Sequence, residues 1–332
     1  MRAKTHIRLK TVASVTVVSA LIGTSFTSDL TRPLAVLASA ATGGMIGCLI
    51  ALFEIAARAS VAAPLRRAPF WLAFLIRAGL YTSIIFGVGR FMRYATHDEE
   101  KLAAAVDIDI VSALLVAVAF NFAFALRRLI GPRPFFALLT GRYHRPRRED
   151  HVVLFLDLLG STTLAERIGD AAFLSFLDRV YSDMSDTILE AGGEIYRYVG
   201  DEIIITWRLD EPQSAKALTC LIEIRRLLAA RGDHYRKTYG AEPRFRAGMH
   251  AGPLMVGEIG DMKREIILLG DTMNTAARIE DACRTFGRLT ILSASALAAV
   301  SPLPPGLAAE PLGEIPLRGK TAALELYAVE AG

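Results

Sequence analysis

Phe155-Leu-Asp-Leu-Leu-Gly-Ser-Thr162 closes an apolar run, His151 to Leu158, that reads as a strand. A second stretch, Tyr198-Val-Gly-Asp-Glu202, turns between two β-rich segments, Glu194 to Val199 and Ile203 to Trp207. Each stretch sets one aspartate, Asp157 or Asp201, at a strand end or hairpin turn. If these strands are neighbours in one sheet, the two carboxylates converge. Hard oxygen ligands paired in this way suit Mg²⁺ or Mn²⁺ that must also hold phosphates, because such ions keep positions open for substrate. Two acids near turns are more often solvated loop residues, so the pair alone assigns nothing.

A third segment adds the missing chemistry. In Leu269-Gly-Asp-Thr-Met-Asn-Thr-Ala-Ala-Arg-Ile279, Asn274 and Arg278 are four apart, so a helix presents both on one face. An amide and a guanidinium placed together suit a sugar ring and a phosphoryl group. In this order and spacing the three segments resemble the catalytic domain of the class III nucleotidyl cyclases, the family of adenylate and guanylate cyclases, from about Asp150 to about Glu330.

That resemblance implies an activity and assigns roles. Cyclisation sends the ribose 3′-hydroxyl onto the α-phosphorus while pyrophosphate leaves, and the protein's task is positioning and charge neutralisation. By resemblance, Asp157 and Asp201 hold two Mg²⁺ or Mn²⁺ ions per site, with the Leu158 carbonyl as a further ligand. Gly160 and the helix start after it offer N–H groups to the triphosphate. Asn274 orients the ribose and Arg278 stabilises the charge on the α-phosphoryl group. Lys320, in Leu317-Arg-Gly-Lys320, matches the basic residue that contacts the triphosphate, with Arg318 as the neighbouring alternative. The resemblance also implies a homodimer, since metal aspartates and the Asn/Arg pair of one site come from different protomers and this chain carries both sets.

Two positions depart from the family's adenine-reading pattern. Arg197 stands where a lysine is common, four residues before Asp201, and Ile267 where an aspartate or threonine is common, seven before Asn274. Arg197 still donates to adenine N1, whereas Ile267 only packs against the ring and leaves N6 to backbone or water. A guanine reader needs acceptors for N1–H and N2–H₂, so ATP is the expected substrate. Guanylate cyclase and a catalytically inactive cyclase-like signalling scaffold remain as alternatives. A diguanylate cyclase fits poorly, because Val199-Gly-Asp-Glu-Ile203 is not its signature and it has no use for Gly270-Asp-Thr-Met-Asn274.

Outward from the motifs, the second half alternates strand and helix, and the expected fold is α+β, sharpened by the resemblance to a ferredoxin-like (βαββαβ-type) core. Thr163-x-x-Glu166 reads as a capping box. A helix follows from Ala171 to Glu190 and is broken by Gly192-Gly193. Then come helix Ser214 to Ala230, strands Pro243 to His250, Met255 to Glu258 and Glu265 to Leu269, helix Thr272 to Cys283, and strands Thr290 to Leu292, Leu312 to Leu317 and Ala323 to Val329.

The first half differs in kind. Of 332 residues, 52% are hydrophobic, too many for an ordinary soluble protein, and the excess lies before residue 130. Four apolar stretches, Val12 to Phe26, Pro33 to Ala56, Phe70 to Gly89 and Ile108 to Leu126, read as a four-helix membrane bundle, the first being short for ~30 Å of hydrocarbon. The basic start before Val12 also fits a signal peptide, but more spans follow and no clear cleavage site does. Lys and Arg crowd the N-terminus, Arg58, Arg66 and Arg67, and the segment after the fourth stretch, which places both termini in the cytoplasm. Residues 1–126 are thus a membrane domain, 127–150 a basic connector and 151–332 the catalytic domain. The net charge of +4 is accounted for by arginines of that connector facing anionic lipid. No aromatic and basic interleaving points to nucleic acid. Cys48, Cys220 and Cys283 are isolated, with no disulfide or zinc spacing. Arg77 is a costly charge inside the third stretch, with Asn121 as a candidate partner.

Overall fold

The computed structural model of the protein describes residues 2–25, 33–56, 69–95, 110–318, 320 and 322–331. They fall into two compact units, Met1–Phe135 and Phe136–Gly332.

In the first unit, α1 (Arg2–Thr24), α2 (Pro33–Ala56), α3 (Phe70–Ala95) and α4 (Ile110–Ile130) lie on the four apolar stretches. By length and composition α2 and α3 are able to cross a membrane, whereas the apolar parts of α1 and α4, Val12–Thr24 and Val111–Arg127, are shorter. α1 meets α2 through small residues. A Cβ on Gly43 would lie 2.2 Å from the Ser19 carbonyl oxygen, and one on Gly23 2.4 Å from that of Ser39. Such close backbone approach adds dispersion contact between the two helices.

Between α2 and α3 an apolar contact of Ile46, Ile50 and Ile85 includes a polar cluster. Glu54 is buried, accepts a hydrogen bond from the Tyr81 hydroxyl at 2.6 Å, and lies 3.7 Å from the Arg77 guanidinium. The expected pairing of Arg77 with Asn121 is therefore replaced. Asn121 instead donates to the Phe74 carbonyl at 2.7 Å. Glu54 ends an apolar run, where sequence gives a carboxylate no reason to be buried. The loop charges behind the orientation reading, Arg58, Arg66 and Arg67 among them, lie outside the described residues. A short helix, α5 (Pro132–Thr140), forms within the connector.

The second unit is built on β1 (Arg147–Leu158), β2 (Glu194–Val199), β3 (Glu202–Arg208), β4 (Phe245–Ile259), β5 (Glu265–Leu269), β6 (Thr290–Ser293), β7 (Leu307–Ile315) and β8 (Leu324–Ala331). They form one sheet in the order β2-β3-β1-β4-β6-β8-β7, with β5 pairing the far half of β4. Its helices are α6 (Ser161–Ile168), α7 (Asp170–Glu190), α8 (Ala217–Ala230), α9 (Gly232–Tyr239), α10 (Asp271–Phe286) and α11 (Ala294–Val300).

β1 is covered on both faces, which explains why residues 152–156 are continuously apolar rather than alternating. Val152, Leu154, Leu156 and Leu158 enter the main core with Phe176 and Met184 of α7 and Ile224 of α8. Val153 and Phe155 enter a smaller cluster with Ile204, Leu254 and Ala276 of α10. Each fully buried aliphatic side chain stabilises the fold by roughly 1.5–3 kcal/mol. The strand that carries Asp157 is accordingly held rigidly.

Several expected boundaries are corrected. No capping box opens α6; its N-cap is Gly160, left-handed at φ 70°, so the helix begins before Thr163. The two strands expected around Gly252-Pro253 are one continuous β4. The Pro253 carbonyl accepts from Thr272 Oγ1 at 2.7 Å, so the proline nitrogen faces the same side, away from β1 and between the reach of β6 and β5. A missing N–H there costs no ladder bond. The first turns expected of α8 are a 3₁₀ segment, Pro212–Lys216. The strand expected at Leu312 to Leu317 runs instead as β7, whose Glu310 faces Ala328 of β8. α9 and α11 were not anticipated: α9 is polar, and α11 is a short helix whose N-cap Ser293 accepts from the Ala296 N–H.

Candidate active site

The pairing of β1 with β3 sets Asp157 opposite Glu202. Asp201 precedes Glu202 in a turn where Gly200 has φ 61°, a conformation that glycine adopts without steric cost. The two carboxylates are therefore neighbours, as the motif spacing suggested. Burial raises the Asp157 carboxyl above its ordinary pKa; a hydrogen bond from Arg246 opposes this, and the charge and hydrogen bond of Asp201 add to it. Arg246, opposite Asp157 on β4, bridges Asp157 and Glu280, donating to the latter through Nε at 3.0 Å. Asp201, Glu202 and Asp281 lie close enough to this group for their charges to act on it. Glu202 is pushed up to about 7, first by burial and then by the charges of Glu280, Asp157, Asp201 and Asp281.

This excess of negative charge is what a divalent cation would relieve, and hard oxygen donors are the right type. Among the described residues no three acidic, His or Cys side chains form a complete cage.

The repulsion has a measurable consequence. Because Glu202 is harder to ionise in the folded protein, its cost is absent below pH 4.5, grows as pH rises towards 7 and is full above it. Glu202→Gln is expected to raise Tm at pH 8 without metal and to leave it unchanged at pH 4. Equal shifts at both pH values would mean that charge is not the cause.

Asn274 and Arg278 lie on α10, Asn274 exposed and Arg278 half-buried. Neither makes a hydrogen bond or ion pair with another described residue, and the surface salt bridge open to Arg278 with Glu280 or Asp281 does not form. Glu280 is turned instead to Arg246. Arg197 donates to Glu265 on β5 at 2.8 Å and lies 5.4 Å from the Tyr196 ring centre. Ile267 is half-buried opposite Gly257. Lys320 is paired with Asp271, and Arg318 is exposed. Gly160 is exposed at the start of α6. Within one chain, no hydrogen bond or ion pair between described residues joins Asn274, Arg278 or Lys320 to Asp157 or Asp201.

Arg246 and Glu265 escaped the sequence reading, as did the pairing of Glu280 with Arg246 and of Asp271 with Lys320. Arg246 left a signal: on β4 it alternates with the buried Phe245, Ala247 and Met249, a charge on a strand with no free face.

Residues 144–331 match the family described as the adenylate and guanylate cyclase catalytic domain. The chain belongs to that family. It is 40% identical over 224 residues to adenylate cyclase 2 of Rhizobium meliloti (strain 1021), covering 67% of this chain and 61% of that one. It is 25% identical over 186 residues to adenylate cyclase 1 of the same organism, covering 55% and 28%. The chain spans less than two thirds of the length of either relative. The first alignment is longer than the matched domain, and Gly332 alone follows residue 331, so that similarity reaches back into the connector. The fold is shared with the adenylyl cyclase CyaB from P. aeruginosa, at TM-score 0.50 and 21% identity over 57% of this chain and 97% of that one. Mixed α+β architecture is thus confirmed for the catalytic domain.

Proposed function

We propose that this protein is a membrane-anchored adenylate cyclase converting ATP to 3′,5′-cyclic AMP and pyrophosphate in a homodimer. The observation that carries the reading is the β1–β3 register, which sets Asp157 beside Asp201 in an acidic cluster. Asn274 and Arg278 meanwhile have no hydrogen-bond or ion-pair partner among the described residues. The name of the 40% identical relative supports ATP as substrate.

Two Mg²⁺ or Mn²⁺ ions held by Asp157, Asp201 and the Leu158 carbonyl would supply Lewis acidity, easing loss of the 3′-hydroxyl proton and offsetting phosphate charge. The remaining work belongs to side chains. Arg278 donates to the α-phosphoryl oxygens as charge builds, and Asn274 orients the ribose; losing one such contact typically costs about 3–4 kcal/mol of transition-state stabilisation. Lys320 exchanges Asp271 for the outgoing pyrophosphate. Gly160, without a side chain, lets the N–H groups that start α6 approach the triphosphate. Arg197 donates to adenine N1 and Ile267 packs against the ring.

Among the described residues no hydrogen bond or ion pair links Asn274 or Arg278 to the carboxylates of their own chain, so the reading takes them from a second copy. α2 and α3, with α1 and α4 beside them, make the membrane anchor, with both termini cytoplasmic and the basic connector on anionic lipid. The purified protein incubated with Mn²⁺ and either ATP or GTP is expected to form cyclic AMP. Cyclic GMP would overturn the base assignment, and no product from a folded dimer would point to a signalling scaffold.

A further inference from the structure

We infer that Glu265, rather than residue 267, supplies the acceptor that reads the exocyclic amine of adenine, acting side by side with Arg197. This rests on the cyclase reading above and deepens it.

Adenine shows an acceptor, N1, next to a donor, the N6 amine, and its complement is a donor beside an acceptor. The chain presents that complement. Arg197 Nη2 and Glu265 Oε2 are 2.8 Å apart, at the open surface, with side chains 45% and 37% exposed. The arrangement is anchored beneath by the neighbouring Tyr196, whose hydroxyl accepts from the Leu268 N–H at 3.2 Å and so ties β5 to β2. Glu265 and Ile267 are two apart on β5 and point to the same face. Ile267 then offers the ring an apolar surface while Glu265 meets its polar edge.

The pair is not there for stability, since solvent screening and the ordering of two long side chains offset most of what an exposed ion pair gains. Its substitution leaves the buried core untouched.

The pairing of a fixed donor, Arg197, with an acceptor, Glu265, favours adenine over guanine. Guanine offers two neighbouring donors, N1–H and N2–H₂, and asks for both oxygens of a carboxylate. Here Oε2 receives Arg197 and Oε1 receives Lys263 at 2.5 Å. Each oxygen retains one lone pair, enough for one amine N–H alongside the existing contacts. Guanine's N1–H would instead meet the Arg197 guanidinium donor against donor, where adenine N1 accepts.

The experiment compares wild type, Glu265→Ala and Glu265→Gln with ATP, GTP and purine riboside 5′-triphosphate, which keeps N1 and lacks the amine. Wild type should prefer ATP to the amine-free analogue by roughly 10- to 100-fold in kcat/KM. Glu265→Ala should bring ATP down to the level of the analogue and change turnover of the analogue by less than about threefold. Glu265→Gln, which keeps a carbonyl acceptor, should fall between. Equal use of ATP and the analogue by wild type would overturn the proposal, and so would an equal loss on both in Glu265→Ala, which is the pattern of a residue that merely holds Arg197. Preference of wild type for GTP would overturn the adenine assignment of Glu265. Normal cyclic AMP formation with an unchanged Glu265→Ala removes this inference alone, whereas no cyclic nucleotide from any substrate removes the cyclase reading with it.

Discussion

Asp157→Asn is expected to lower cyclic AMP formation by about a thousandfold or more while leaving the fold intact or firmer. Activity falls because the substitution removes one of the two carboxylates in the acidic cluster. Stability does not fall, because ionised Asp157 is held in an environment that resists its charge. Burial and Asp201 raise its pKa, against the opposing bond from Arg246. A carboxyl raised in the folded state costs nothing at pH values where both states are protonated, and costs most once the folded form ionises. The variant's Tm at pH 8 without metal should therefore equal or exceed that of wild type, with the difference closing as pH falls through the acid range. Arg246 is not stranded, since its Nε still donates to Glu280. Adding Mn²⁺ should raise the Tm of wild type by mass action and barely move the variant. Cyclic nucleotide assays and thermal unfolding with and without Mn²⁺ check both halves. A loss of activity together with a Tm several degrees lower would mean that Asp157 is structural.

The sequence made β1, the β2–β3 hairpin, β5 and α10 legible because each depends on local pattern. An apolar run stops at Asp157, glycine permits the turn before Asp201, and Gly270 precedes a helical run with Asn274 and Arg278 four apart. Adjacency of the two aspartates followed from a short hairpin folding back on β1. The partners of the site were illegible for the opposite reason. Arg246 meets Asp157, and Arg197 meets Glu265, only once strand order and register are fixed, and no local periodicity encodes a pairing across the sheet. The same holds for Arg77, whose partner Glu54 sits on another helix. Pro253 misled for a subtler reason. A proline usually marks the end of a central strand, but β4 is flanked at that point on one side only. Gly160 misled likewise, by starting α6 in a left-handed conformation without any side-chain cap. These departures cluster around the site: a sheet whose neighbours change along β4 leaves room for α10 to lie over it, and α10 carries Asn274 and Arg278.

Mixing two inactive variants should restore activity. Asp157→Ala chains lack a carboxylate of the acidic cluster, and Arg278→Ala chains lack the guanidinium for the α-phosphoryl group, so each alone is expected to lose at least about a hundredfold. If every site takes the carboxylates from one copy and α10 from the other, a mixed dimer has one site with both lesions and one with neither. Random exchange at equal amounts makes half the dimers mixed, each with half its sites intact, so activity should recover to about a quarter of wild type. The expectation comes from two facts of the single chain. Asn274 and Arg278 have no partner among the described residues, and Asp157 is engaged with Arg246 and Asp201 rather than with either of them. A site completed within one chain would leave every copy defective in one variant or the other, and mixing would return nothing. Recovery must also depend on exchange. Variants mixed after the dimers are crosslinked should stay inactive, and restoration under those conditions would contradict a shared site. Because the lesions lie on different elements, β1 and α10, neither is expected to disturb the other's local structure. The recovered fraction therefore reports the composition of the site rather than a rescue of folding.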